Sequence, residues 1–111
     1  MQEQVNVQGR LDATAFYNRG KAYYQKGDYE NAVADFTLAI KIKPDYAAAY
    51  LNRGNAYGGQ GDYNRAIADY TQALQFQPDN ITAYNNRGNV YLLKNDIGRA
   101  IADFDQAIAR Q

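Results

Sequence analysis

The residue types that carry most enzyme chemistry are missing from this 111-residue chain, which has no cysteine, histidine, tryptophan or serine. Without cysteine there is neither a disulfide framework nor a thiolate nucleophile, and without serine and histidine the usual catalytic triads cannot form. A metal ion would depend on carboxylates alone, and no group of Asp and Glu has ligand-like spacing. We therefore expect no enzyme activity, no metal and no cofactor.

The chain also lacks a net charge and a long apolar run. Its 12 Lys and Arg balance its 12 Asp and Glu, which removes the long-range attraction that drives nucleic-acid binding. No run reaches the roughly 18 apolar residues of a membrane span, and the N-terminus has no signal-peptide pattern. These absences predict no nucleic-acid partner, no membrane insertion and a cytoplasmic location.

What the chain does contain is an internal repeat. Gly20, Gly54 and Gly88 are spaced by 34 residues, and the same step relates Ala, Asp and Pro positions. A fixed period of this length is typical of stacked supersecondary units. The third copy stops short of the position where its Pro would fall. The predicted units are an N-terminal extension of residues 1–12 and copies at residues 13–46, 47–80 and 81–111.

Each copy is predicted to form two helices joined by a tight turn. In the first copy, apolar residues recur at helical spacing over residues 13–26 and again over residues 29–43. Between them, Gly27 suits a left-handed position after a helix and Asp28 suits an N-cap. Pro44 ends the second helix because proline disfavours helix at the residue before it.

Small residues mark the place where the two helices of a copy would cross. Gly20 and Ala32 allow the axes to approach, and Tyr23 and Phe36 would fill the space beside them. One helix pair cannot bury its apolar face alone, so neighbouring copies must stack. The sequence predicts an all-α solenoid of three antiparallel helix pairs.

This pattern resembles the tetratricopeptide repeat (TPR), whose eight signature positions are an aromatic, Leu, Gly, Tyr, Ala, an aromatic, Ala and Pro. The resemblance covers residues 13–111 and implies a right-handed superhelix whose first helices line a concave groove. The first copy holds the signature positions as Phe16, Arg19, Gly20, Tyr23, Ala32, Phe36, Ala39 and Pro44.

A consistent departure from the TPR pattern is Arg at the Leu position, as Arg19, Arg53 and Arg87. One interpretation is that the Arg stem packs while its charged head reaches the surface. A sharper hypothesis pairs each Arg with an Asp that repeats at the same spacing. Those residues are Asp35, Asp69 and Asp103.

Asparagines dominate the positions that the resemblance assigns to the groove. An Asn side chain has both a donor and an acceptor, so it can pair with the backbone of an extended peptide whatever the peptide's sequence. The alternative is that these Asn only keep an exposed helix face soluble. The predicted groove residues are Tyr17, Asn18, Lys21, Tyr24, Asn52, Asn55, Asn85, Asn86 and Asn89.

Some TPR domains grip the C-terminal carboxylate of chaperone tails with a clamp of Lys, Asn, Asn, Lys and Arg. Only Asn52 matches that clamp, and Lys21 is the one cation among the predicted groove residues. The sequence therefore argues against a chaperone-tail receptor. The clamp positions hold Tyr17, Lys21, Asn52, Thr82 and Asn86.

The last helix has an apolar face with no helix predicted to follow it, whereas TPR arrays often end in a solvating helix. Either the chain is a piece of a longer array, or it self-associates through this end. In the extension, Val5, Val7 and Leu11 either cover the first pair or are disordered. The candidate self-association residues are Ile97, Ile101, Phe104 and Ile108.

Together these features predict a protein–protein interaction scaffold that binds a peptide or protein segment in its concave groove. The alternative is a structural module that forms homo-oligomers through its uncapped last helix.

Overall fold

The computed structural model describes the backbone of residues 2–111 and the side chains of residues 12–111. Within this part of the chain there are six helices and no strands, as the repeat predicts. Each helix packs against its neighbours along the chain, and the first helices of successive pairs also touch, α1 with α3 and α3 with α5. The helices are α1 (Gln2–Gln25), α2 (Tyr29–Ile42), α3 (Ala47–Gly59), α4 (Tyr63–Phe76), α5 (Ile81–Leu93) and α6 (Ile97–Arg110).

The turn inside each copy has the predicted geometry. Gly27 and Gly61 have φ of 80° and 79°, and Asn95 reaches 62°, in the left-handed region that Gly and Asn tolerate best. The Asp that follows each of them caps the next helix: the Asp28 side chain accepts the backbone N–H of Asn31 at 3.3 Å. The three copies therefore turn at the same register.

The crossing inside each copy is as tight as the glycines predict. A Cβ added at Gly20 would lie 2.7 Å from Phe36 Cε1, and one at Gly54 would lie 2.8 Å from Tyr70 Cε1. No side chain larger than hydrogen fits these positions without moving the ring. The third copy repeats the arrangement, and Ala32 beside the first crossing is fully buried.

The predicted start of the first helix was wrong. Helix α1 begins at Gln2 rather than at residue 13, so the extension continues the helix of the first copy. The reason is that residues 2–12 contain no proline, and Gly9 is the one strong helix breaker among them. The side chains of Val5, Val7 and Leu11 lie outside the described residues.

Candidate functional site

The first helices of the three pairs form one continuous face, because α1 contacts α3 and α3 contacts α5. We call this the groove face, and all predicted groove residues belong to these three helices. Their exposure divides them into two groups. Asn18, Lys21, Asn85 and Asn89 are exposed, whereas Tyr17, Tyr24, Asn52, Asn55 and Asn86 are half-buried.

The half-buried Asn52 joins the first two copies. Its Nδ2 donates to the Tyr17 hydroxyl at 3.1 Å and to the backbone carbonyl of Ala48 at 2.9 Å. Both amide hydrogens are thereby used, and Asn52 Oδ1 is left to accept. Burial and the neighbouring Tyr46 raise the pKa of Tyr17, while its bond with Asn52 lowers it. The Tyr17 hydroxyl therefore stays protonated at neutral pH and keeps a hydrogen to donate.

Asn55 joins the second and third copies. Its Oδ1 accepts from the Tyr70 hydroxyl at 2.6 Å and from Asn86 Nδ2 at 2.9 Å. Burial, with smaller contributions from Tyr24 and Asp69, raises the pKa of Tyr70 well above its ordinary value. The phenol thus remains a donor, and this one carbonyl links α3, α4 and α5.

These bonds fix the polarity that the amides present on the groove face. Asn52 and Asn86 each keep a carbonyl oxygen that can accept, and Asn55 keeps an NH₂ that can donate. The rotamers are already set, so a ligand would meet an ordered acceptor–donor–acceptor series without first having to order it. That pattern can pair with the alternating C=O and N–H groups of an extended backbone.

Apolar and aromatic groups flank the amides. The rings of Tyr17 and Tyr46 lie 4.9 Å apart, and Lys21 Nζ lies 4.8 Å from the Tyr17 ring centroid. At the other end of the groove face, Leu92 and Leu93 are exposed. The face therefore offers contact area as well as hydrogen bonds, with little charge.

Gly59 has a packing role that the predicted groove residues do not include. A Cβ there would lie 2.6 Å from the Tyr29 ring, so this glycine makes room for a side chain of the preceding copy. Gly58, one residue earlier, has open space around it. The 34-residue step gives no signal for this contact, because the equivalent positions in the other copies hold Gln25 and Leu93.

The hypothesis of repeated Arg–Asp pairs is confirmed. Each guanidinium forms two parallel hydrogen bonds to one carboxylate, for example from Arg53 Nε and Nη2 to the two oxygens of Asp69, both at 2.8 Å. The carboxyl groups are almost completely buried, so they need these charged partners. The three pairs are Arg19–Asp35, Arg53–Asp69 and Arg87–Asp103.

The interpretation that placed the Arg heads at the surface is wrong for the second and third copies. The side chains of Arg53 and Arg87 are 18% and 19% exposed, against 59% for Arg19. The preceding copy covers them and supplies a further acceptor: Arg53 Nη1 donates to the Thr37 hydroxyl at 3.1 Å. Arg87 Nη1 does the same to Thr71 at 3.0 Å.

The proposed self-association surface lies on α6. Ile97, Ile101 and Ile108 are 48%, 54% and 63% exposed, and Phe104 is half-buried. The equivalent aromatic in the first copy, Phe36, is completely buried. The apolar side chains of α6 are thus equivalent to those that a following helix covers in the first and second copies.

Residues 12–111 bring together no group of three or more acidic side chains that could hold a metal ion. Among the described helices, none is both long enough and apolar enough to cross a bilayer.

Comparison with protein families gives matches along most of the chain. The family described as TPR repeat matches residues 20–61 and 59–95, and the family described as Tetratricopeptide repeat matches residues 81–111. Among curated proteins, no sequence matches at the significance required.

Solved structures of TPR domains resemble the whole arrangement. The Arabidopsis OM64 TPR domain superimposes with a TM-score of 0.90 and 27% identity, over 93% of this chain and 85% of that domain. The second TPR of Spaghetti (RPAP3), bound to the HSP90 peptide SRMEEVD, gives a TM-score of 0.88 and 26% identity, over 94% of this chain and 96% of that chain. The TPR2B domain of yeast Sti1, in its complex with pHsp70, gives a TM-score of 0.88 and 29% identity, over 90% of this chain and 80% of that chain.

Proposed function

This chain belongs to the tetratricopeptide repeat family, and we propose that it is an interaction scaffold that binds an extended peptide or protein segment on its groove face. The observation that carries the proposal is the ordered amide series of Asn52, Asn55 and Asn86, whose rotamers are fixed by hydrogen bonds within and between copies. One structurally similar TPR domain was solved with an HSP90 peptide bound and another in a complex with pHsp70, which supports a binding role for this chain.

The recognised segment differs in kind from an acidic chaperone tail. Four of the five clamp positions hold other residues, and the Lys21 ammonium already lies over the Tyr17 ring. One cation provides little attraction for a segment such as SRMEEVD, because its three acidic side chains and its C-terminal carboxylate would need several. We propose instead a largely uncharged segment, held through its backbone by the amides and through apolar side chains near Leu92 and Leu93.

The test begins with capture of partners from a lysate of the source organism, followed by measured affinity for one purified partner segment. Replacing Asn52→Ala with Asn86→Ala removes two members of the series, and we expect about tenfold weaker binding. The matched control is Asn31→Ala with Gln75→Ala, which removes two exposed amides from second helices. The peptide SRMEEVD is the negative probe and should bind far more weakly than the partner.

Circular dichroism separates loss of binding from loss of fold, since all variants should keep the helicity of the natural chain. Unchanged affinity in the Asn variant, with helicity intact, would contradict binding on the groove face. Tight, salt-sensitive binding of SRMEEVD would contradict the proposed segment chemistry.

A second candidate function is homotypic assembly through α6, and the exposure of Ile97, Ile101 and Ile108 favours it. Contiguous exposed apolar side chains on a repeat end usually mark an interface. Light scattering over a range of concentrations tests this role, and a strict monomer at the highest concentration would exclude it.

A further inference from the structure

The chain contains the same interface twice, once where α2 packs on α3 and once where α4 packs on α5. Each interface has two halves, and both halves recur once more, uncovered, at the two ends of the solenoid. On α6, the uncovered positions are Ile97, Ile101 and Ile108. We call this surface the tail face.

The complementary half lies on α1. In α3, Ala49 and Ala56 are completely buried on either side of Arg53. Their equivalents on α1, Ala15 and Ala22, are exposed. With the largely exposed Arg19 between them, Ala15 and Ala22 form a second surface, which we call the head face. Its residues are the same in kind as those that α3 packs against α2.

A polar contact sets the register of the inner interfaces. Arg53 and Arg87 each donate from Nη1 to a threonine hydroxyl of the preceding copy. The equivalent of those threonines, Thr37 and Thr71, in the last copy is Asp105. Asp105 is exposed and has no hydrogen-bond or ion-pair partner within residues 12–111.

We propose that copies of this chain stack head to tail, with the head face of one seated on the tail face of its partner. This inference rests on the proposed assembly role and specifies its surface and register. In the stack, Arg19 keeps Asp35 and its Nη1 reaches Asp105 of the partner copy. The charged acceptor replaces the neutral hydroxyl of the inner interfaces, so the contact between copies gains an ion pair that the contacts within a chain do not have.

The two faces differ, so the contact is heterologous and leaves one head and one tail free after each addition. Assembly is therefore open-ended, and the mean mass rises with concentration without stopping at a dimer. A single helix pair offers a small contact, which predicts a weak association with Kd on the order of 100 µM.

Sedimentation equilibrium of the 111-residue chain, from about 10 µM to about 1 mM, measures this association. Ile101→Glu places a charge in the tail face and should leave a monomer at every concentration. The matched control is Leu38→Glu, which changes another exposed apolar residue where the other two copies carry Gln72 and Gln106. It should associate like the natural chain.

Two substitutions of the exposed Asp105 test the register without disturbing the fold. Asp105→Arg sets two cations against each other and should weaken association about tenfold. Asp105→Thr recreates the inner contact, so it should keep most of the association while losing most of its dependence on salt.

Single cysteines complete the test, because the natural chain has none. In the inner interfaces Val33 packs on the cluster that holds Ala56, and Ile67 on the cluster that holds Val90. Chains carrying Ala22→Cys and chains carrying Ile101→Cys should therefore form a mixed disulfide when oxidised together. Each variant alone should form far less.

The outcomes separate the two proposals. A natural chain that stays monomeric at about 1 mM overturns both the stack and the assembly role, and does not affect groove binding. Association that survives Ile101→Glu overturns the tail face. Two results would show that the pairing is tail to tail: Ile101→Glu abolishes association while Asp105→Arg leaves it unchanged, or Ile101→Cys cross-links with itself. Either result would contradict the head-to-tail register but not the assembly role.

Discussion

The contacts within a helix pair and the contacts between pairs are formed by different kinds of residue. Inside a pair, an aromatic ring packs against a glycine, and in all three copies a Cβ added at that glycine would lie only 2.7 to 2.8 Å from the ring. Between pairs, alanine and β-branched side chains meet around an Arg–Thr hydrogen bond, which occurs twice among residues 12–111. The first kind needs nothing outside its own copy, whereas the second depends on having a neighbour.

The largest expected loss of stability comes from breaking the Arg–Asp pairs, which are chemically identical but differ in their neighbours. Arg53→Met leaves Asp69 buried without its charged partner, and we expect unfolding to become easier by about 3 kcal/mol. Arg19→Met should cost clearly less, because the Arg19 side chain is 59% exposed and water can therefore reach Asp35 once the guanidinium is removed. Urea denaturation followed by circular dichroism measures both.

Equal losses from the two Arg variants would show that the neighbouring copy contributes nothing to the inner pair. The double variant Arg53→Met with Asp69→Leu serves as a control. It removes the stranded carboxylate and should recover most of the lost stability.

The contact within a pair is tested by two glycines of the same helix. Gly54→Ala forces a Cβ to within 2.8 Å of the Tyr70 ring, and we expect a loss of about 2 kcal/mol. Gly58→Ala meets open space and should stabilise α3 by about 0.5 kcal/mol through higher helix propensity. Thermal unfolding of both variants gives the comparison, and the same sign for both would contradict the packing argument.

A smaller effect is expected at Tyr70, because the first and third copies have Phe at this position. Tyr70→Phe removes the donor to Asn55, so we expect a loss of about 1 kcal/mol at pH 7. The pKa of Tyr70 is raised in the folded chain above its ordinary value of 10.0. Stability linked to the neutral phenol is therefore complete below pH 10 and is lost as the pH rises above it.

The variant lacks that ionisation, so the stability difference between the two chains should shrink and then reverse above pH 10. Urea titrations at pH 7 and at pH 11 measure this, and a difference that does not change with pH would contradict the assignment.

The sequence alone was sufficient to predict the structural features that recur every 34 residues. The turns at Gly27 and Gly61, the crossings and the Arg–Asp pairs all recur at that step, and one copy in isolation already explains them. The start of α1 could not be placed because residues 2–12 carry no stop signal and have no equivalent in the other copies.

The amide network of the groove face was only half predictable. The repeat predicts that Asn52 and Asn86 lie on one face, but it does not predict their hydrogen-bond partners. Tyr17 and Asn52 are 35 residues apart and Asn55 and Asn86 are 31 apart, so neither bond follows the repeat. Which atoms meet depends on the angle between successive pairs, and that angle is a property of the packed structure.

Those two bonds have a mechanical consequence. Both lie between first helices, on the groove face, where they join each copy to the next. Straightening the solenoid would separate the first helices and stretch these two hydrogen bonds. Twisting the solenoid about its long axis would leave both bonds nearly unstrained. The groove should therefore resist opening more than it resists torsion, and a ligand that fits its curvature would not have to impose that curvature.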